Sequence, residues 1–195
     1  MDLDAVSALA FCRRAVARLE RMEGAAPGDG TAGADDAPIE RRLDDRLVVA
    51  YVVVAGEALR PVRQSHLRLA GLPADALHDT ALANLAALVR ERAEVHDYGR
   101  IHAVLMGADL EASVLLCAPF WDAWHAALAP GGFVVAVPGR DVLAFGDATS
   151  ERALRELDDL VTRMAPAVDP ALSDRLWRRV DGRWLPHDDD VGVVR

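Results

Sequence analysis

Asn84 is the residue whose type and position first call for chemistry. It follows Ala81 by three positions and precedes Leu88 by four, so helical spacing sets an amide on or beside an apolar face. An amide there must find hydrogen-bond partners or cost about 1–3 kcal/mol. It either ties its helix to a loop or strand end, or lines a pocket. Arg140-Asp141 is the second such place, between two apolar strands and next to Pro138-Gly139. A guanidinium and a carboxylate held there would suit an anionic or polar ligand. The competing reading is an exposed turn whose ions pair locally and contribute little. Asp109 and Glu111 flank another connection and could form a carboxylate pair. His96-Asp97 is the nearest thing to an acid–base or metal pair, beside a turn that favours a solvated loop. His187-Asp188-Asp189-Asp190 could hold a divalent cation through oxygens, though a frayed acidic terminus explains it as well.

Much chemistry is missing. No Walker A, G-x-S-x-G, H-E-x-x-H or C-x-x-C motif occurs. The histidines at 66, 78, 96, 102, 125 and 187 include no pair at i, i+4. All 22 basic residues are arginine, which excludes a Schiff-base or P-loop lysine. Cys12 and Cys117 form no disulfide framework and read as buried thiols. No catalytic residue, cofactor or metal is therefore expected. The net charge of −9 opposes contact with nucleic acid and anionic membranes. No apolar run approaches the roughly 20 residues of a spanning helix. The start carries Asp2 and Asp4 and no positive leader, so a cytoplasmic protein is expected.

These residues need elements to position them. An apolar face of period 3.6 predicts a helix over 3–23, stopped by Gly24. The Gly-, Ala-, Asp- and Pro-rich stretch that follows predicts a flexible linker over 24–44. Residues 47–54 are nearly all aliphatic and predict a central strand buried on both faces. A second strand over 59–64 is confined to an edge by Pro61. Ser65 and Gly71 bracket a short helix, and Pro73 opens a long one to about Arg92. Residues 101–106 and 110–117 predict a hairpin across Gly107-Ala108-Asp109. A helix is expected over 119–129. Residues 133–137 and 142–145 predict a hairpin with Pro138-Gly139 in a type II turn. Helices are expected over 154–164 and 172–180. The order implies an α+β fold. It has a mixed or mainly antiparallel sheet of about six strands built from hairpins, with helices packed on it. The expected division is an N-terminal helix over 1–23, a linker over 24–44, one α+β domain over 45–186 and an acidic tail over 187–195.

Three stretches resemble one another's counterparts in a known family: Asp79-Thr80-Ala81-Leu82-Ala83-Asn84-Leu85, Leu110-Glu111-Ala112-Ser113-Val114-Leu115-Leu116, and Ala136-Val137-Pro138-Gly139-Arg140-Asp141-Val142-Leu143. In that order and spacing the chain resembles the YtpQ-like family of bacterial proteins, a domain family of unknown function. The likeness covers roughly residues 45–147 and implies no catalytic residues. It does place Asn84, Arg140 and Asp141 inside its motifs.

Two functions follow. The first is a non-enzymatic binding or adaptor protein whose partner is another protein or a second copy of itself. Its support is the missing catalytic constellation, the four tryptophans and an amphipathic N-terminal helix suited to docking. The alternative is a small-molecule-binding or hydrolytic enzyme with a polar pocket around Asn84, Arg140 and Asp141.

Overall fold

A computed structural model describes residues 3–22, 36–56, 58–167 and 171–187. The fold is α+β, with two antiparallel sheets of four and six strands. Contacts group the chain into two compact units. One holds residues 1–91 and Ser113–Cys117; the other holds Arg92–Ala112 and Ala118–Arg195. The division expected from sequence ran elsewhere, at 24–44.

The first unit is built on β3 (Leu47–Ala55), the aliphatic run expected to be central. Leu47, Val48, Val49, Tyr51, Val52 and Val53 are all buried. Burying each such side chain contributes about 1.5–3 kcal/mol. One edge of β3 pairs antiparallel with β1 (Val16–Arg21), Val16 opposite Val52 and Arg21 opposite Leu47. Its other edge pairs with β2 (Glu40–Arg42) and with β4 (Ala58–Pro61), which ends at Pro61 as an edge strand should.

Three expectations are corrected here. The helix predicted over 3–23 is α1 (Leu3–Cys12) alone, followed by β1. Ala17 and Leu19 face inward while Arg18 and Glu20 pair at 3.0 Å on the other face, so the period there is two. The unpaired edge of β3 decides between the periods, because its backbone groups need a ladder partner. The linker predicted over 24–44 ends sooner: Pro38 bridges Arg63 and residues 40–42 are β2, while 24–35 lie outside the described residues. The N-terminal helix α1 docks on its own unit. It packs on α2 (Gln64–Ala70), with the Phe11 and His66 rings 4.7 Å apart. Arg63, not Ser65, stands at the N-cap of α2, and Gly71 closes it in the left-handed region, as its missing Cβ allows. Then α3 (Ala74–Arg92) buries Leu77, Ala81, Leu85 and Val89, one residue per turn.

The second unit carries a sheet in the order β10-β9-β7-β8-β6-β5. Its strands are β5 (Glu94–Asp97), β6 (Ile101–Leu105), β7 (Phe133–Ala136), β8 (Leu143–Asp147), β9 (Trp177–Val180) and β10 (Arg183–Pro186). The β7–β8 hairpin is where the sequence placed it, Ala136 opposite Ala144. Helix α4 (Glu151–Met164) starts at Ser150, whose Oγ accepts from the Ala153 amide at 3.3 Å. It sets Leu157 and Val161 against Val134, Ala136 and Ala144.

Three further expectations fail. Residues 110–117 do not pair with β6; Ala112–Leu116 is a 3-10 helix, and β6 lies between β5 and β8. Gly107, Ala108 and Asp109 have φ of 78°, 63° and 53°, a left-handed run that turns the chain off the sheet. The helix expected over 119–129 is a π turn at Phe120–Trp124 and a 3-10 turn at Ala126–Leu128. There Trp121 packs edge-on with Phe120, Phe133, Phe145 and Trp184, ring centroids 4.7–5.5 Å away. The helix expected over 172–180 is a hairpin, β9 with β10, turning on Asp181 and Gly182 at φ 48° and 76°.

Asp147, at the end of β8, holds this unit's sharpest turn. One carboxylate oxygen accepts from the Gly131 amide at 2.8 Å, and the other from the Thr149 amide and hydroxyl at 2.8 and 2.6 Å. Burial raises its pKa, but the hydrogen bonds from Thr149 and Gly131 outweigh that and hold it below the usual carboxylate value. A Cβ on Gly131 would collide with Asp147 Oδ1 and the Thr149 side chain. Gly131→Ala should therefore cost about 1–3 kcal/mol and lower Tm by several degrees in thermal unfolding. An unchanged Tm would show that this turn is not a rigid fixture.

Candidate functional site

Asn84 resolves its two readings through its own hydrogen bonds. Its Nδ2 donates to the carbonyls of Arg13 and Ala15 at 2.9 and 2.8 Å. Those carbonyls belong to the turn between α1 and β1, where no helix or ladder bond takes them. The amide on the flank of α3 thus clamps the junction that the sequence read as continuous helix.

Arg140 and Asp141 belong to the second unit and Asn84 to the first. They are the corners of a turn closed by the Val142 amide on the Gly139 carbonyl at 3.4 Å. Gly139 does not have the positive φ that a type II turn centred on Pro138-Gly139 would require, so the expected turn is displaced by two residues. The loop is fastened by its backbone: Arg140 O accepts from Ala112 N at 3.0 Å and Pro138 O from Leu172 N at 2.9 Å. Arg140 is half-buried and Asp141 exposed. Asp141 stands at one end of an apolar groove of about 280 Å³ lined by Tyr98, Leu105, Val142 and Leu160 among others. Glu111, the other flagged carboxylate, is 6% exposed and turned inward to accept from Met106 N at 3.0 Å and from Gly107 N at 2.5 Å. It is a fastening of the 107–109 turn, not half of an acid–base pair with Asp109.

The histidines are likewise occupied. His96 and Asp97 fall on edge strand β5, where Nε2 of His96 is 3.3 Å from Glu94 and Asp97 accepts from the Gly99 amide at 2.6 Å. His78 on α3 meets the hydroxyl of buried Tyr51 on β3, Nδ1 to Oη 2.9 Å. Burial and then the nearby Arg41 push the His78 pKa down, while burial pushes that of Tyr51 up. Burial and His102 push His125 down as well. Among the described residues, no group of three or more His, Cys, Asp or Glu side chains could hold a metal ion.

What sequence reasoning did not find is a groove in the first unit, about 570 Å³ in volume. Asp4, Ser7, Ala8 and Phe11 form one wall, a single stripe along α1. Arg63, His66 and Leu69 form the facing wall at and along α2, and Arg60 and Pro61 of β4 close one side. Leu69 in that wall is 50% exposed. Nδ1 of His66 accepts from the Arg63 amide at 3.0 Å, which fixes the ring against Phe11. Nη1 of Arg63 donates to the Asp36 carbonyl at 2.6 Å. Arg60 is exposed and meets no carboxylate among the described residues. The groove exists because α1 docks on α2, some 50 residues later in the chain, and no local sequence signal reports that.

No protein-family model, curated protein or solved structure matches this chain.

Two outcomes follow from this geometry. Asn84→Ala strands two carbonyls and should cost about 1–3 kcal/mol in thermal unfolding, whereas Asp141→Ala, on an exposed turn, should change stability by less than about 0.5 kcal/mol. Equal effects would mean that Asn84 is no clamp. For His78 and His125, a folded pKa below the usual 6.5 means that the unfolded chain takes up protons first as pH falls. Their contribution is complete above 6.5 and is lost as pH falls through the folded values. Tm should drop between about pH 7 and 5, and His78→Gln, which keeps an acceptor for Tyr51 but no titrating ring, should flatten part of that drop.

Proposed function

We propose that this chain is a binding or adaptor protein whose recognition surface is the groove between α1 and α2. The observation that carries the reading is the groove itself: two short helices and an edge strand bound a cleft in which Ala8, Phe11 and Leu69 lie beside Arg60 and Arg63. Its volume lies in the range of ligand-binding clefts, and a trough between two helices suits an amphipathic segment of another protein. Asn84, central to the alternative enzyme reading, is spent on structure: both its amide hydrogens go to main-chain carbonyls. Membership of the YtpQ-like family stays part of this proposal on the resemblance of the three stretches alone. Two of them form α3 and the β7–β8 hairpin; the third is the 3-10 turn after Glu111.

A photo-crosslinking side chain placed at Ser7, on the groove wall, tests this in the full chain. The expected result is one discrete protein adduct, reproduced with the purified partner and absent when the label sits at Leu128, an exposed apolar residue of the other unit. Leu69→Arg, at a half-exposed position that should tolerate the change, is expected to abolish the adduct without altering the circular dichroism. Adducts that are equal at both sites, or unaffected by Leu69→Arg, would remove the groove from consideration.

A further inference from the structure

We infer that the occupant of the groove is an acidic amphipathic peptide, with apolar side chains on Phe11 and Leu69 and a carboxylate on Arg60. The inference rests on the binding role just proposed and adds the chemistry of the partner.

The argument is one of charge set against surroundings. The chain carries −9 overall, so most of its surface repels a carboxylate. The groove departs from that balance. Among the described residues, two guanidiniums and an imidazole line it, against one carboxylate, that of Asp4. Asp4 sits in the first turn of α1, where the helix dipole favours a negative charge, and it has an interaction of its own. Arg63 is half-committed, its Nη1 on the Asp36 carbonyl and 3.8 Å from the Asp36 carboxylate. Arg60 meets no carboxylate among the described residues. A charge on an edge strand also guards against strand pairing, which is the plain explanation for Arg60. That explanation does not account for the apolar lining beside it, where an arginine stem can lie flat and offer its fork of donors outward. A planar fork that meets no carboxylate among the described residues, beside apolar lining, is matched by a carboxylate that comes attached to apolar side chains.

The spacing of the walls sets the form of the ligand. The α1 stripe steps by three or four residues through Asp4, Ser7, Ala8 and Phe11, and Arg63, His66 and Leu69 step by three across from it. A helix with apolar residues at i, i+3 or i+4, and i+7 can lie in that trough, its flanking positions over Arg60 and Arg63.

The test uses the full chain and three fluorescent synthetic helices of one apolar pattern, with Glu, Gln or Lys at the flanking positions, read by anisotropy. The Glu peptide should bind about two- to fivefold more tightly than the Gln peptide, the range of an exposed ion pair, and the Lys peptide most weakly. Arg60→Glu should invert the Glu–Lys order, and because Arg60 is exposed the variant should keep its fold. Equal affinity of the Glu and Gln peptides, or an order that Arg60→Glu leaves intact, overturns the acidic partner and leaves the groove standing. Binding of none of the three, together with no Ser7 adduct, overturns the groove as well.

Discussion

At several places where this chain leaves regular structure, a single side chain takes up the backbone groups that are stranded there. Asn84 takes the Arg13 and Ala15 carbonyls; Asp147 takes the Gly131 and Thr149 amides; Glu111 takes those of Met106 and Gly107. Asp44 does the same for Arg46 and Leu47 ahead of β3, and Ser113 Oγ accepts from Leu19 of β1 at 3.1 Å. A hydrogen bond to a carboxylate contributes about 1.5–3 kcal/mol, and leaving a buried backbone group unpaired costs a similar amount. Exposed ion pairs such as Arg152–Glu156 and Arg41–Asp75 contribute about 0–1 kcal/mol. The fastenings, not the surface charges, decide where the turns sit, and the turns decide which faces of the helices stay open.

The consequence in the first unit runs from sequence to surface. The aliphatic run of β3 demands ladder partners on both edges and apolar cover. Residues 16–21 supply one edge, which forces α1 to end at Cys12 and the chain to reverse within Arg13, Arg14 and Ala15. That reversal is what Asn84 holds. Its position directs α1 back over α2, with Ala8 and Cys12 buried and the stripe from Asp4 to Phe11 left beside the open face of α2. The groove is thus a by-product of completing the sheet, and the amide that looked like a pocket residue acts on it only by fixing α1.

How much of this the sequence showed depends on whether a local pattern was enough to decide. β3, α3, α4 and the β7–β8 hairpin were legible because each has one period, a sufficient length and a breaker at its ends. Residues 16–21 were not, since Val16, Ala17 and Leu19 fit a helical stripe as well as a strand, and only the free edge of a distant strand chooses. Residues 110–116 are aliphatic enough for a strand; three left-handed residues before them, two without glycine's freedom, send them elsewhere. The β9–β10 hairpin did carry a signal, Asp181-Gly182, the pair most suited to a tight hairpin turn. The apolar spacing of Leu172, Leu176 and Val180 obscured it by mimicking a helix. Polar residues out of place were recognised at 84, 111 and 140–141. Their spacing could not tell a ligand from a stranded carbonyl, because an amide or carboxylate on an apolar face satisfies either.

That ambiguity has a direction. A polar side chain on an apolar face must be paired in the free protein, since it cannot wait unpaired for a ligand without a cost of about 1–3 kcal/mol. In a chain without a bound cofactor motif, the nearest unpaired groups are those of its own backbone, and they are always present. A recognition surface obeys the opposite rule: its polar groups stay in water until the partner arrives, so they stand exposed and their sequence context is unremarkable. Arg60 fits that description, exposed on an edge strand beside Pro61, and Asn84 does not. The residues that catch the eye in such a sequence are therefore the ones that build the fold, and the residues that meet a partner have to be sought where apolar surface is left open next to unspent charge.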